Sequence, residues 1–295
     1  MHNKKRLFLG SATAIVTPFC NGEVDYYSLE KIIDFQLSEG CDGLVILGTT
    51  GEAPTIYENE RWQIITFVKR KVGDGVPLIV GTGSNATSVA IRYSKNAQEL
   101  GADCCLVVSP YYNKATAKGL IEHYEAVADS VDIPIMIYNV PSRTGVKIPQ
   151  EVYSALSTNP NIIGVKEASG DLGYLTELIY NNKDSLDVYT GCDELILPTL
   201  ALGGCGVISV VGNIMPRDVL DLCHRFFSGN TRGAREIQMY LSPLIKELFY
   251  EVNPIPIKEA LYQMGLCQRE YRLPLCPSTR ESQLLELLQR YNLIK

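Results

Sequence analysis

A lysine ends what otherwise resembles a buried β-strand. Ile162, Ile163 and Val165 form a short apolar run typical of a strand covered on both faces, and Lys166 follows them directly. A strand in that setting excludes a charge unless the charge is paired or used. Side chains alternate along a strand, so we predict that Lys166 shares its face with Ile162 and Gly164, and that Gly164 leaves room below the amine.

Such a lysine is suited to covalent chemistry. An amine held among aliphatic neighbours loses hydration, which favours its neutral form and makes it a nucleophile toward carbonyl carbons. Lys166 is therefore predicted to be a Schiff-base lysine. The alternative is a structural lysine, with its stem on the core and its head in water.

A tyrosine and an arginine follow the preceding predicted strand. Tyr138 occupies the position in its strand that Lys166 occupies in the next one, so we predict that the two side chains are neighbours. A phenol beside an amine can give and take the protons that imine formation requires. Arg143, in the loop just beyond, offers a planar fork for a carboxylate, and the alternative is an ordinary surface arginine.

Other strand ends carry further polar groups. The second predicted strand ends in Gly48-Thr49-Thr50-Gly51-Glu52, a tight turn whose N–H groups and hydroxyls can hold a small carboxylate, or else a plain glycine turn. Tyr111 and Tyr112 follow the fourth strand as packing groups, binding groups or a proton relay. Backbone groups near Gly191 and Ile208 are predicted to line the same pocket.

These residues are placed by a regular alternation of short apolar runs and amphipathic helical stretches. Eight such units in series indicate parallel strands joined by crossover helices, and their length fits a (β/α)8 barrel of roughly 250 residues. An open doubly wound sheet is the alternative. The strands are predicted at 11–16, 43–47, 78–80, 104–108, 135–138, 162–165, 187–189 and 206–210.

The alternation stops after Ser228-Gly229-Asn230, and helical segments broken by prolines follow. The sequence therefore predicts a catalytic barrel over residues 1–229 and a small C-terminal helical domain over residues 230–295. If this is correct, the polar strand ends converge on one face of the barrel, which is where active sites of this fold lie.

Composition narrows the function further. The 295 residues are 46% hydrophobic and 20% charged with a net charge of −6, so we expect no nucleic acid and no membrane as partners. Nine cysteines without C-x-x-C spacing are typical of reduced thiols in the cytoplasm. The histidines have no metal-site spacing, and the weak G-x-G-x-x-A match at Gly81 is interpreted as a βα-turn. We expect no cofactor and no metal.

Several motifs together resemble the pyruvate-dependent class I lyases typified by dihydrodipicolinate synthase. The similarity runs almost end to end, and the motifs are Gly48-Thr-Thr-Gly-Glu52, Ser109-Pro-Tyr-Tyr-Asn113, Tyr138-Asn-Val-Pro-Ser-Arg-Thr-Gly145, Gly164-Val-Lys-Glu-Ala-Ser-Gly170, Gly203-Gly-Cys-Gly-Val-Ile-Ser209 and Asn253-Pro-Ile-Pro-Ile-Lys258. The resemblance implies a barrel with a C-terminal helical domain, in a homotetramer built as a dimer of dimers.

The resemblance also implies a reaction. Pyruvate forms an imine with Lys166, and the enamine attacks the aldehyde of L-aspartate 4-semialdehyde, which is the 4-hydroxy-tetrahydrodipicolinate synthase reaction of lysine biosynthesis. The implied roles are proton transfer for Tyr138, a linking hydroxyl for Thr49, a second tyrosine from across the dimer interface for Tyr112, pyruvate binding for Thr50 and the backbone near Ile208, and semialdehyde binding for Arg143.

Arg143 distinguishes this reaction from the related ones, since sialic acid lyases resemble the chain elsewhere but lack that arginine. The alternatives are another pyruvate-dependent class I aldolase, of the N-acetylneuraminate lyase or 2-keto-3-deoxy sugar acid type, and a non-catalytic barrel that binds keto acids. A binding protein would need no nucleophile such as Lys166.

One departure concerns regulation. Lysine-inhibited members of the family carry a polar effector pocket, and its positions here correspond to Val89, Glu58 and Arg61, although Asn85 and Tyr111 are retained. The ammonium of lysine would lack a carboxylate partner at Val89, so we predict weak or absent feedback inhibition.

Overall fold

Eight parallel strands close into a barrel. A computed structural model describes residues 6–277 and 281–295 of the chain. Each strand pairs with its neighbours in sequence and β1 pairs with β8, so an open sheet is excluded and the predicted (β/α)8 barrel is confirmed. The strands are β1 (Gly10–Ala14), β2 (Gly43–Ile46), β3 (Leu78–Gly81), β4 (Cys104–Val108), β5 (Ile135–Asn139), β6 (Ile162–Glu167), β7 (Asp187–Thr190) and β8 (Gly206–Ser209).

Helices surround the barrel and return the chain to the start of each next strand. They are α1 (Tyr26–Glu39), α2 (Glu58–Val72), α3 (Thr87–Glu99), α4 (Ala117–Ala128), α5 (Gln150–Leu156), α6 (Leu172–Asn182), α7 (Ile196–Ala201) and α8 (Pro216–Phe227). A short hairpin of Phe19–Cys20 and Glu23–Val24 precedes α1, and a single helical turn, Pro141–Thr144, follows β5. These two pieces are too short for a periodic pattern to predict.

Alternation along the strands produces two apolar layers. In β2, Leu44 and Ile46 pack in the outer layer between strands and helices, whereas Val45 faces the barrel interior. Both layers exclude water, which explains why the strand sequences are apolar at nearly every position. Most polar side chains of the strands lie near their ends, where the loops begin, and β1 is the exception with Ser11 and Thr13 buried inside the strand.

A bulge in β6 departs from the predicted alternation. Ile135 pairs with Ile162, but the next residue of β5, Met136, pairs with Gly164, so β6 carries one extra residue. Ile162 therefore packs in the outer layer. The prediction that it shares the face of Lys166 is wrong, because strict alternation does not hold across a bulge.

Three helices lie in the described part of the chain beyond α8, namely α9 (Thr231–Leu248), α10 (Ile255–Gln263) and α11 (Glu281–Arg290), and the segments that join them are irregular. α9 packs against α8, and its Leu241 and Leu244 join the outer apolar layer of the barrel. The division into domains at residue 229 stays a prediction. No helix among the described residues has both the length and the hydropathy to cross a membrane.

Candidate active site

A cavity of 510 Å³ lies among the loops at the carboxyl ends of the barrel strands. Its wall is built from the loops after β2, β3, β4 and β5, together with the segment that precedes α10. The predicted site residues divide into three that line this cavity (Thr49, Tyr138 and Arg143) and five that do not (Lys166, Thr50, Tyr112, Gly191 and Ile208).

The amine of Lys166 lies beside the ring of Tyr138. The two residues are paired in the β5–β6 register, and Lys166 Nζ is 4.4 Å from the centroid of the Tyr138 ring. Both residues are 6% exposed. The predicted neighbourhood of amine and phenol is confirmed, and it follows from equal positions on adjacent parallel strands.

The other strand neighbour of Lys166 is Tyr189, which packs in the barrel interior. Tyr189 of β7 pairs with Lys166, stacks on Phe8 with ring centroids 4.3 Å apart and donates a hydrogen bond of 2.6 Å to the Phe8 carbonyl. Burial raises the pKa of Tyr189 well above its ordinary value. The Tyr189 phenol is therefore bound within the barrel interior, and of the two tyrosines that are paired with Lys166 it is Tyr138 that lines the cavity.

Gly191 gives the Lys166 side chain its space. A Cβ atom at position 191 would lie 2.7 Å from Lys166 Cε and 2.9 Å from Ala168 Cβ. A Cβ at Gly164 would instead lie 2.5 Å from the Asp187 carbonyl oxygen, so that glycine serves the β6–β7 contact. The prediction that Gly164 makes room for the amine is wrong, and Gly191 does so instead.

The threonine turn after β2 is tight, as predicted. Glu52 N–H donates to the Thr49 carbonyl at 3.1 Å, and Ala53 N–H donates to the Gly48 carbonyl at 3.3 Å. Thr50 is 2% exposed, and its hydroxyl accepts a hydrogen bond of 3.0 Å from the Asn253 side chain. The turn is thus held from the C-terminal part of the chain.

Arg143 is held from the same segment. It lies on the helical turn after β5, is exposed, and its Nη2 donates a 3.1 Å hydrogen bond to the Asn253 carbonyl oxygen. One residue, Asn253, therefore contacts both predicted carboxylate-binding groups. The Asn253 Oδ1 atom is buried and has no hydrogen-bond partner among the described residues, and Asn253 lines the cavity.

The two tyrosines after β4 differ in exposure and in backbone conformation. Tyr111 is 36% exposed and lines the cavity, whereas Tyr112 is 91% exposed and adopts a φ of +72°. That left-handed conformation costs a non-glycine residue roughly 1–2 kcal/mol. The Tyr112 side chain is exposed and does not line the cavity of its own chain.

The loop after β8 is fixed by a buried carboxylate that the sequence did not reveal. Asp193 Oδ2 accepts hydrogen bonds from the Val210 and Val211 N–H groups at 3.0 and 2.9 Å. Burial raises the pKa of Asp193 to about 6. The Ile208 side chain packs in the inner layer, so only its backbone is available to a ligand.

A second buried carboxylate joins the strands that carry the amine and the phenol. Glu167 Oε2 accepts a 2.7 Å hydrogen bond from the Asn139 side chain, and Oε1 accepts one of 2.6 Å from Ser169 N–H. Burial raises the pKa of Glu167. Asn139 and Glu167 directly follow Tyr138 and Lys166, so this contact fixes their relative position.

A third buried charge pairs the threonine turn with α10. Lys258 Nζ donates a 2.6 Å hydrogen bond to Glu52 Oε1, and both side chains are 1% exposed. Burial lowers the pKa of Lys258, and the Glu52 carboxylate opposes that shift. The motif Asn253-Pro-Ile-Pro-Ile-Lys258 was the signal in the sequence that could have located these residues.

The positions that correspond to a lysine effector pocket border the cavity. Val89 lines it and supplies no charge. Arg61 also lines it, is 3% exposed, and has a pKa lowered to about 10 by burial. Glu58 is exposed and pairs with Arg92 at 3.1 Å. An ammonium group in this region would therefore meet a cation and no free carboxylate among these side chains.

Comparison with known proteins shows which family the chain resembles in sequence. A model of the dihydrodipicolinate synthetase family matches residues 7–289. The chain belongs to this family. Within the dihydrodipicolinate synthetase family it is 47% identical over 271 residues to 4-hydroxy-tetrahydrodipicolinate synthase of Clostridium tetani, with 92% of each chain covered. It is 48% identical over 271 residues to the enzyme of that name from Lachnoclostridium phytofermentans, covering 91% of this chain and 92% of the relative.

The fold agrees with this membership. The crystal structure of dihydrodipicolinate synthase from Thermotoga maritima matches with a TM-score of 0.96 and 41% identity, covering 98% of this chain and 100% of that one. Like that dihydrodipicolinate synthase, the chain is an α/β barrel with appended helices. No group of three or more potential metal ligands occurs within residues 6–277 and 281–295.

Proposed function

We propose that this protein condenses pyruvate with L-aspartate 4-semialdehyde through a Schiff base on Lys166, which is 4-hydroxy-tetrahydrodipicolinate synthase activity in the diaminopimelate route to lysine. The observation that carries the proposal is the buried amine of Lys166, 4.4 Å from the ring of a cavity-lining phenol, Tyr138. The names of relatives that are 43–48% identical support the choice of substrates.

The first step joins pyruvate to the enzyme. The neutral amine of Lys166 attacks the keto carbon, and the former keto oxygen takes up a proton to give a carbinolamine. A second proton transfer expels that oxygen as water and leaves the imine. Tyr138 gives and takes these protons, because its hydroxyl is the titratable group beside the amine that also reaches the cavity.

The second step forms the carbon–carbon bond. Loss of a proton from the pyruvate methyl group converts the imine to an enamine, whose carbon attacks the aldehyde carbon of the semialdehyde. The aldehyde oxygen takes up a proton and becomes a hydroxyl. The amino group of the semialdehyde then attacks the imine carbon and displaces Lys166, which closes the ring and frees the enzyme. The net reaction releases one water molecule and needs no cofactor.

Two carboxylates must be bound for this reaction. The Thr50 hydroxyl, the N–H groups of the turn after β2 and the backbone near Gly191 and Ile208 bind the pyruvate carboxylate. Arg143, exposed at the cavity wall, binds the carboxylate of the semialdehyde. The two anionic groups thus have separate partners, which orients the aldehyde carbon toward the enamine.

The remaining proton relay extends beyond one chain. In this proposal Thr49 links Tyr138 to a second tyrosine, Tyr112, which is supplied by a neighbouring subunit. The 91% exposure of Tyr112 supports this role, since a side chain used by its own barrel would be buried there. The assembly is then a homotetramer of two tight dimers, located in the cytoplasm.

Reduction with borohydride tests the proposal. Incubation with pyruvate and borohydride should add a reduced pyruvate adduct to the peptide that contains Lys166, and Lys166→Ala should remove it. Turnover with L-aspartate 4-semialdehyde should exceed turnover with sialic or sugar-acid substrates. An adduct on Lys258 or another lysine, or no adduct in the native protein, would contradict the proposal.

A further inference from the structure

The ion pair between Glu52 and Lys258 joins parts of the molecule that are 206 residues apart. Lys258 Nζ lies 4.3 Å from the centroid of the Phe19 ring and 5.0 Å from that of Tyr271, so aromatic faces enclose the ammonium on two sides. Neither charge reaches water, since both side chains are 1% exposed. The pair is therefore a fixed contact in one geometry.

Glu52 is the last residue of the threonine turn, and its backbone conformation is unusual. It adopts a φ of +53°, a left-handed conformation that a non-glycine residue keeps only when its surroundings enforce it. The Glu52 carbonyl accepts hydrogen bonds from both the N–H and the hydroxyl of Thr55. The bond to Lys258 adds the side-chain contact that fixes this residue, and with it the end of the turn.

The same segment fixes the turn at a second point. Asn253, five residues before Lys258, donates to the Thr50 hydroxyl at 3.0 Å. Thr50 is thus bound by the segment that precedes α10, and Glu52 by the first part of α10 itself. Thr49 lies in the same turn, so the hydroxyls assigned to substrate binding and to proton relay depend on contacts from the end of the chain.

A stabilising role alone does not account for this pair. Removing two charges from water costs about as much as their attraction returns, so a buried ion pair contributes little net stability compared with apolar side chains of similar volume. Removing one partner is costly, because the other charge is left buried. In this protein the pair holds Glu52, a residue with a φ of +53°, in one position at the end of the turn.

We infer that Lys258 is a positioning residue for the reaction, acting through Glu52 to hold the turn that carries Thr49 and Thr50 against the keto acid. This inference rests on the proposed function for the identity of the ligand. The structural part, that Lys258 fixes the turn, is independent of that ligand.

The experiment compares three variants of the full-length protein. Lys258→Met breaks the pair and leaves the Glu52 carboxylate buried without its cation. Glu52→Gln combined with Lys258→Met removes both charges and restores neutrality. Glu259→Gln is the matched control. Glu259 lies in the same helix as Lys258, α10, is also 1% exposed, and forms a 2.7 Å ion pair with Arg269 instead of contacting the turn.

Three measurements are made on each variant: the thermal unfolding midpoint, the KM values for both substrates, and hydrogen exchange of the peptide spanning residues 47–56. We expect Lys258→Met and Glu259→Gln both to lower the unfolding midpoint, and the double variant to regain most of the loss. We expect the KM for pyruvate to rise at least tenfold in Lys258→Met and in the double variant, with the KM for the semialdehyde within twofold of native. Exchange in residues 47–56 should accelerate only in those two variants.

A purely structural pair gives a different pattern. If the double variant recovers both stability and the native KM for pyruvate, or if Glu259→Gln raises that KM equally, the inference is wrong. If Lys258→Met does not fold, the double variant decides alone. If the native protein forms no pyruvate adduct, the proposed function fails, and hydrogen exchange still shows whether Lys258 holds the turn.

Discussion

Replacing Gly191 by alanine should separate imine formation from folding. The new Cβ would lie 2.7 Å from Lys166 Cε, although ordinary contacts between such atoms are 3.4–4 Å. The φ of Gly191 lies outside the left-handed region, so alanine can adopt the backbone conformation. The steric clash is therefore mainly with the Lys166 side chain, and Ala168 Cβ must also move.

The size of the effect follows from this distance. Lys166 Cε must move by about 1 Å, and a misplacement of about 1 Å in a reacting group costs roughly a hundredfold in rate. That factor corresponds to about 2.7 kcal/mol of transition-state free energy. The free energy of unfolding should fall by about 1–2 kcal/mol, because overpacking typically costs roughly 1–3 kcal/mol and alanine offsets roughly 0.4–1 kcal/mol of this by restricting the unfolded chain.

The assay is the rate at which borohydride traps the pyruvate adduct, measured together with the thermal unfolding midpoint. Gly119→Ala in α4 is the control, since its Cβ would meet only Thr116 Oγ1 at 3.5 Å and Ala115 Cβ at 3.6 Å. It should leave trapping unchanged. Trapping of Gly191→Ala at the native rate would refute the claim that this glycine confines the amine.

Three further predictions concern binding, pH and regulation. Arg143→Ala should raise the KM for the semialdehyde roughly ten- to a hundredfold through loss of a charge-assisted contact, while adduct formation with pyruvate stays native; an equal change in both would contradict the assigned role. Burial lowers the pKa of His123 from its ordinary 6.5 to about 4, so the unfolded chain binds a proton at higher pH than the folded one. Burial of Asp193, whose pKa is raised to about 6, acts in the opposite direction in the same range, so the effect is read as a difference between two proteins: the free energy of unfolding of the native protein relative to His123→Gln should fall by about 3 kcal/mol as the pH drops from 6.5 to 4, measured by urea unfolding. Submillimolar lysine should inhibit weakly or not at all, because Val89 supplies no carboxylate and Arg61 repels the ammonium; half-maximal inhibition in that range would show otherwise.

The sequence predicted the barrel well because parallel strands have a strong local signature. Most of the strands, such as β2, β3 and β4, are apolar on both faces, so a few consecutive residues are enough to locate them. The neighbourhood of Lys166 and Tyr138 was predictable for the same reason, since strand position and register fix both side chains. Arg143 could be assigned to the correct end of the barrel from its place after β5.

The predictions were wrong or incomplete where the position of a side chain depends on backbone that is distant in sequence or on an extra residue in a strand. The bulge in β6 has no sequence signature, so the face of Ile162 was predicted wrongly. Gly164 and Gly191 look equivalent in sequence, and only the fold shows which of them borders the amine. The contact between Glu52 and Lys258 was missed because no local pattern links residues 206 positions apart.

That separation has a consequence for the order of synthesis. A ribosome completes Glu52 long before it adds Asn253 and Lys258, so a nascent chain can assemble all eight strands while the turn after β2 still lacks its anchors. Chains that terminate after α8 would therefore carry both the amine and the phenol and still hold substrate poorly. The turn after β2 gains its anchors last, when residues 253–258 have been made and contact Thr50 and Glu52.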